Sequence, residues 1–135
     1  MTESKRSWRD SLSWFVASEF LLFAPAKLYP GPIGEFGSYP DRFARWGYPS
    51  WFSYVVGITE IGAALMLLSR RTRFVAAVIL CSVLEGAIVT HILNHDPLYQ
   101  SVAAPVQLGF AIVIALAHWP ATWKAAFSRS EASVT

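Results

Sequence analysis

Apolar residues occur along the chain in four long segments separated by polar breaks. The segments cover residues 11–28, 50–69, 74–94 and 102–119, approximately. Each is close to the length of about 20 residues that a helix needs to cross the hydrocarbon of a bilayer. In the last three, apolar residues surround the predicted helix on every side, which is typical of helices in lipid. The pattern predicts an all-α fold, a polytopic membrane four-helix bundle.

Lysine and arginine predict the orientation of these spans. Eight of them fall on one side of the predicted bundle: Lys5, Arg6, Arg9, Arg70, Arg71, Arg73, Lys124 and Arg129. The other side holds Lys27, Arg42 and Arg45. Because cytoplasmic loops carry the excess of basic residues, both termini are expected in the cytoplasm, with the protein multi-pass in the cell membrane. In the first outer loop, a short interfacial helix is expected over residues 40–46.

Composition agrees with a single membrane domain, residues 1–135, with polar tails at 1–10 and 121–135. Apolar residues make up 54% of the chain and charged residues 15%, against about 25% charged in ordinary globular domains. The net charge of +2 is too small, and the basic residues too scattered, for a nucleic-acid surface. The lipid bilayer is therefore the expected partner. Because Cys81 is the single cysteine of the sequence, an internal disulfide is excluded.

Three glutamates, one in each of the first three spans, are the main candidates for chemistry. Glu19, Glu60 and Glu85 each lie near the middle of a span. An acidic residue at the bilayer centre costs about 2.5–3.5 kcal/mol, so three facing lipid would cost roughly 8–10 kcal/mol. We therefore expect all three to face inward, to meet in one layer and to share a proton. Gly57, on the same helical face as Glu60, predicts a closely packed partner there.

Other polar residues could extend such a layer into a proton path. The outer end of the third span carries His91, His95 and Asp96. His95 lies four positions after His91, and Asp96 lies five positions after it. The two histidines would share a helical face, and Asp96 lies eleven positions after Glu85, which suits a path from the outer surface toward Glu85. Spacing implies no third ligand, so no metal is expected. Gln107 could supply an amide to the cavity, and Lys27 could reach part of the way toward Glu60.

Several stretches resemble the DoxX-like family of small four-helix membrane proteins. The most specific are the Gly47-Tyr48-Pro49 turn and the run from Gly57 to Ala63, and the likeness covers roughly residues 12–117. Lys27 and Glu60 stand at positions that match the family pattern. The resemblance implies a fold of four transmembrane helices and a role near quinones or membrane redox partners. No cofactor site is evident in the residues themselves, and quinone enters only through this resemblance.

Three functions stay open at this point. The first is an accessory or quinone-linked component of a membrane redox system, in which the inward glutamate layer handles protons while a redox partner carries electrons. The second is an intramembrane acid–base enzyme, an isomerase or cyclase acting on a lipophilic small molecule, with Glu85 or Glu19 as acid and Glu60 as base. The third is a non-catalytic carrier or assembly factor, which would need a homo-oligomer.

Overall fold

The computed structural model describes residues 2–123 and residue 129, with side chains from residue 8 onward. Within these residues the fold is helical throughout, as predicted. The α-helices are α1 (Thr2–Phe23), α2 (Tyr39–Arg45), α3 (Phe52–Leu67), α4 (Arg73–Leu93), α5 (Leu98–Ser101) and α6 (Ala103–Ala117). Two 3₁₀ segments, Ala24–Leu28 and Gly34–Phe36, follow α1. Most of the predicted polar tail at 121–135, including Lys124, lies outside the described residues.

The four long helices pack as a closed ring. Contacts join α1 to α3, α3 to α4, α4 to α6 and α6 back to α1; the α4–α6 pair packs most extensively and the α6–α1 pair least. Small side chains such as Ala17, Ala64, Ala76, Ala77 and Ala111 are fully buried along the ring axis. Because these residues have short side chains, the helix backbones approach one another closely.

The outward surface of this ring is apolar. Large side chains there are more than half exposed, among them Leu22, Ile58, Leu65, Ile92 and Leu116. A surface of this kind is unfavourable in water and suits hydrocarbon. Within the described residues, two helical segments are long and apolar enough to cross a membrane, Arg73–Leu93 and Leu98–Ala117, and Phe52–Leu67 is a shorter apolar helix. That the four long helices each cross a membrane stays a prediction.

Helix α2 confirms the short helix expected over residues 40–46. The Ser38 hydroxyl accepts a hydrogen bond from the Asp41 backbone N–H at 3.2 Å and caps the first turn, where Pro40 also favours a helix start. The chain leaves this helix through Gly47, whose φ of +90° is a conformation that glycine adopts readily. The short helix therefore lies across one end of the ring, called the α2 end below.

A charged cluster holds the opposite end of the ring together. Arg73 is only 2% exposed; its Nε donates to the Leu67 carbonyl at 2.8 Å and its guanidinium to Asp10 Oδ1 at 2.5 Å. Arg70 also donates to Asp10. These two guanidiniums, Arg73 first, hold the pKa of the Asp10 carboxyl below its ordinary value. The cluster ties the first part of α1 to the α3–α4 turn.

Aromatic rings bring the end of α6 to this same cluster. Trp119 packs edge-on against Phe74 at the start of α4, with ring centroids 5.4 Å apart, and Trp123 lies 5.6 Å from the same ring. The start of α1 and the end of α6 therefore lie at the same end of the bundle, as the charge pattern predicted. That this side is cytoplasmic stays a prediction.

Candidate functional site

Glu60 and Lys27 form a buried ion pair near the α2 end. Lys27 Nζ lies 2.5 Å from Glu60 Oε2, and the two side chains are 21% and 4% exposed. The sequence predicted that the Lys27 side chain reaches only part of the way toward Glu60, and this prediction was wrong. The 3₁₀ segment Ala24–Leu28 packs directly on α3, where Gly57 leaves so little room that a Cβ would stand 3.0 Å from the Lys27 Cβ. Close packing at Gly57 was predicted. This packing places the Lys27 ammonium beside Glu60, which lies about one helical turn after Gly57.

Glu19 has a different partner from Glu60. Its carboxylate accepts a hydrogen bond from the Gln107 amide, across the seam between α1 and α6. Gln107 therefore makes a hydrogen bond between two helices, and a role for its amide in a cavity stays a prediction. The other amide atom, Gln107 Oε1, is buried without a hydrogen-bond partner among the described residues. Glu19 and Glu60 are thus each bound to a neighbour of their own, and their contacts show no shared layer.

Glu85 does not face inward, so the predicted glutamate layer is wrong. Its side chain is exposed, on the face of α4 that also carries Val78, Ser82 and Val89. The core face of α4 carries Ala76, Ala77, Leu80 and Leu84 instead. At about 100° per residue, Glu85 points roughly 125° away from the centre of that face, on the exposed side of the helix. A helix that is apolar all round gave no polar stripe from which its rotation could be predicted.

His91 and Asp96 form a hydrogen-bonded pair at the end of α4. His91 Nδ1 lies 2.7 Å from Asp96 Oδ2, and both side chains are largely buried. The predicted helical-face pair of His91 with His95 is wrong, because α4 ends at Leu93 and His95 adopts a positive φ of 53°. That turn carries the chain back over α4, so that the Asp96 backbone N–H donates to the His91 carbonyl at 3.1 Å. His95 is left exposed.

The Trp46 side chain binds the same carboxylate as His91. Trp46, just after α2, donates its indole N–H to the same Asp96 oxygen at 3.1 Å, and its ring lies edge-on to His91 with centroids 5.3 Å apart. Beside it, the Tyr48 hydroxyl and Thr90 Oγ1 are 2.8 Å apart. Asp96 therefore accepts from both an imidazole and an indole, which fixes the His91 ring in one orientation. Sequence reasoning missed this role of Trp46.

A line of stacked side chains joins the ion pair to the His91–Asp96 pair. Lys27 Nζ lies 5.9 Å from the centre of the Tyr39 ring, and the Arg42 guanidinium lies 5.3 Å from the ring centres of both Tyr39 and Trp46. At these distances a cation and the aromatic ring below it attract each other. The spacing Tyr39, Arg42, Trp46 in steps of three and four was the available signal, because such residues neighbour each other on a helix.

Two clefts open beside this network. One is a slot of about 250 Å³, whose lining residues are Ile88, His91, Ile92, His95, Asp96, Ser101 and Pro105. A wider cleft of about 780 Å³ lies on the other side of Asp96, with Arg42, Trp46 and Gln100 in its wall. Within residues 8–123, no three histidine, cysteine or acidic side chains come together as a metal site would require. The slot has an apolar wall and two imidazoles, of which Asp96 holds His91 in place.

Comparisons with other proteins place the chain in a family. Neither a curated protein nor a solved structure is significantly similar to it. The sequence pattern of the DoxX-like family matches residues 12–116, which include the ion pair, the His91–Asp96 pair and most of α6. Together with the apolar helices, this match identifies an integral membrane protein. The chain belongs to the DoxX-like family.

Proposed function

We propose that this protein is an accessory, quinone-linked component of a membrane redox system, crossing the cell membrane four times with both termini in the cytoplasm. The observation that carries the proposal is the His91–Asp96 pair on the wall of the apolar slot at the α2 end. A quinone headgroup is a flat, largely apolar ring with two carbonyl oxygens that accept hydrogen bonds. Such a ring matches a slot with isoleucine walls and the oriented imidazole of His91.

The chemistry assigned to His91 is proton exchange with that headgroup. Reduction of a quinone to a quinol takes up two electrons and two protons. Electrons come from a redox partner, and protons pass from the outer surface through the imidazole. With Nδ1 held by Asp96, the Nε2 atom remains for exchange with a molecule in the slot, and histidine is the side chain best suited to gain and lose a proton near neutral pH.

In this proposal the glutamates support the site and do not carry the protons. Glu60 anchors Lys27, and Lys27 touches Tyr39 at the start of the stacked line that reaches Trp46 and Asp96. The alternative of an intramembrane acid–base enzyme needs two carboxyls facing one substrate. Glu60 lies against an ammonium and Glu85 faces away from the bundle, so the geometry favours the quinone-linked function over that enzyme.

Quinone binding by the purified full chain tests the proposal. The protein is placed in phospholipid nanodiscs and titrated with a short-tailed benzoquinone, with quenching of tryptophan fluorescence as the readout. We expect saturable binding that His91→Ala weakens by about tenfold or more, the equivalent of one hydrogen bond of about 1.5 kcal/mol or more. His118→Ala is the matched control, because it removes an imidazole that lies at the opposite end of the bundle against the Ile114 carbonyl, and its affinity should stay within about twofold of wild type.

Two results would contradict this function. One is a wild-type protein whose fluorescence changes linearly with quinone, since that indicates partitioning into lipid without a site. The other is an equal affinity for His91→Ala and His118→Ala, since the His91 imidazole on the slot wall would then contribute nothing to binding.

A further inference from the structure

The wide cleft at the α2 end is a cavity that the proposed quinone site does not use. Its volume is about 780 Å³, and Asp96 is the one lining residue that it shares with the slot. Two arginines from α2, Arg42 and Arg45, lie in its wall. The acidic residues of this wall are Glu35 and Asp96, and Asp96 already accepts the hydrogen bonds from the imidazole and the indole described above. The cleft thus brings two guanidinium groups together outside the slot.

The Arg42 guanidinium is held in a fixed orientation in the cleft wall. It lies 5.3 Å from the centres of the Tyr39 and Trp46 rings, and its Nη2 atom donates to Gln100 Oε1 at 3.4 Å. The part of the chain that the structure describes offers no other acceptor to this group, and it gives neither Arg42 nor Arg45 an ion pair. Because a guanidinium presents donors on all its nitrogen atoms, a ligand with several acceptor oxygens would satisfy them.

Gln100 aligns a second kind of donor with Arg42. Its Oε1 atom accepts from the guanidinium, and its Nε2 atom donates to the Tyr99 hydroxyl oxygen at 3.0 Å. Since that oxygen accepts a hydrogen bond from the amide, its own O–H is available to donate to a molecule in the cleft, which Tyr99 also lines. A phosphate group combines negative charge with several acceptor oxygens, and arginine binds it through paired N–H donors. The donors of the cleft therefore match a phosphate.

Exposed apolar side chains border the same cleft. In its wall Phe36 is 55% and Tyr99 71% exposed, and Leu98, next to Tyr99, is 80% exposed. In the predicted membrane arrangement the α2 end lies at the level of the lipid headgroups, where aromatic rings are common. A phosphate that carries acyl chains would place its charge on the arginines and its chains on these apolar residues. The surroundings of the cleft therefore favour a phospholipid over a soluble phosphate compound.

We propose that the wide cleft binds a phosphate group and that a membrane phospholipid supplies it. Arg42 and Arg45 hold the phosphate, and the Tyr99 hydroxyl donates a further hydrogen bond. Arg42 contributes more than Arg45, because two aromatic rings and Gln100 orient its guanidinium before the ligand arrives, whereas Arg45 is exposed. Glu35 repels the phosphate from the same wall and limits the affinity.

Native mass spectrometry of the full chain in neutral detergent micelles tests the site. The probe is dioleoylphosphatidic acid, and dioleoylglycerol, which has the same acyl chains without the phosphate, is the matched control ligand. We expect saturable binding of phosphatidic acid, with dioleoylglycerol binding about tenfold or more weakly. Soluble glycerol phosphate is then added as a competitor. A lipid site retains phosphatidic acid in its presence, whereas displacement would replace the lipid by a soluble phosphate compound as the ligand.

Charge variants test the individual side chains of the cleft. Arg42→Gln should weaken binding of phosphatidic acid by about tenfold or more, and Arg45→Gln, at an exposed position, by about threefold or more. Arg71→Gln is the matched control, because it makes the same change on an exposed arginine at the opposite end of the bundle, and it should stay within about twofold of wild type. Glu35→Gln removes a negative charge from the cleft and should strengthen binding by about twofold.

Several outcomes would overturn the proposal. Equal affinity for phosphatidic acid and dioleoylglycerol does so, as does a loss of affinity in Glu35→Gln. Equal losses in Arg42→Gln and Arg71→Gln would indicate general attraction to a basic surface without a site. If circular dichroism shows that Arg42→Gln does not fold, Arg45→Gln decides, and wild-type affinity in that variant overturns the proposal. None of these results depends on quinone binding at His91.

Discussion

Removing either member of the Lys27–Glu60 pair is expected to destabilise the bundle strongly. The substitutions are Lys27→Met, which keeps the length of the side chain, and Glu60→Gln, which keeps its shape. Each leaves one group of the pair without its opposite charge in a site where Glu60 is 4% and Lys27 21% exposed. Because both exposures are well below a third, solvent screening reduces the interaction only in part.

The expected loss is about 3 kcal/mol of unfolding free energy for each single variant. Breaking a buried ion pair by removal of one partner generally costs about 3–5 kcal/mol, and the partial exposure of Lys27 argues for the lower end. The double variant removes both charges, so no uncompensated charge remains. Its loss should therefore be smaller than that of either single variant, about 1–2 kcal/mol, and well below the sum of about 6 kcal/mol that independent sites would give.

Reversible unfolding in mixed micelles, followed by circular dichroism, measures these losses. Glu35→Gln is the control, because it makes the same chemical change on an exposed loop, and it should stay within about 0.5 kcal/mol of wild type. Single variants as stable as this control would refute the reasoning, since the pair would then contribute nothing. Additive losses in the double variant would refute the coupling between the two charges.

Three further predictions concern other parts of the bundle. Gly57→Ala should lower the unfolding free energy by about 1 kcal/mol in the same micelle assay, because its Cβ would stand 3.0 Å from Lys27 Cβ, whereas Gly62→Ala, in open space, should raise it by about 0.5–1 kcal/mol. The lowered pKa of Asp10 means that its carboxylate stabilises the fold above about pH 4 and that this contribution disappears as acid protonates it. Acid titration of unfolding should therefore show wild type and Asp10→Asn converging at low pH, and a constant difference would contradict the assignment. Asp96→Asn should weaken quinone binding in nanodiscs by about tenfold, since an amide orients the His91 imidazole less strongly than a carboxylate does.

Much of the helical architecture could be predicted from local signals in the sequence. Proline and glycine mark the breaks, Ser38 and Pro40 mark the start of α2, and Gly57 marks a close contact on α3. Each of these depends on backbone chemistry within a few residues. For that reason the helices, the short α2 and the packed face beside Glu60 were predicted correctly.

The rotation of the helices could not be predicted in the same way. Along α4, apolar residues occur on every side, so nothing in the pattern distinguished the core face from the lipid face, and Glu85 was placed on the wrong one. The expectation that every mid-span carboxyl faces inward rested on the cost of an acidic group in hydrocarbon and took no account of how α4 is rotated in the bundle. Helix rotation is set by packing against neighbours, which sequence periodicity does not contain when the whole helix is apolar.

The polar network at the α2 end depends on two local geometries that spacing does not show. Lys27 belongs to a 3₁₀ segment, whose tighter winding differs from the α-helix assumed when its reach was judged. His95 adopts a positive φ, which ends the helical relation between His91 and the residues after it and folds Asp96 back onto the ring. In both places the position of a side chain follows from a change in backbone conformation over one or two residues.

Mapping the site of a photoreactive quinone tests the central claim most directly. The full chain in nanodiscs is illuminated with an azidobenzoquinone, and labelled peptides are identified by mass spectrometry with and without excess unlabelled quinone. Competed label is expected on Ile88, Ile92 and the segment from Ser101 to Pro105, which line the slot beside His91. Competed label confined to the α1–α6 seam near Phe15 and Phe110, or label that excess quinone does not reduce, would contradict a quinone site at the His91–Asp96 pair.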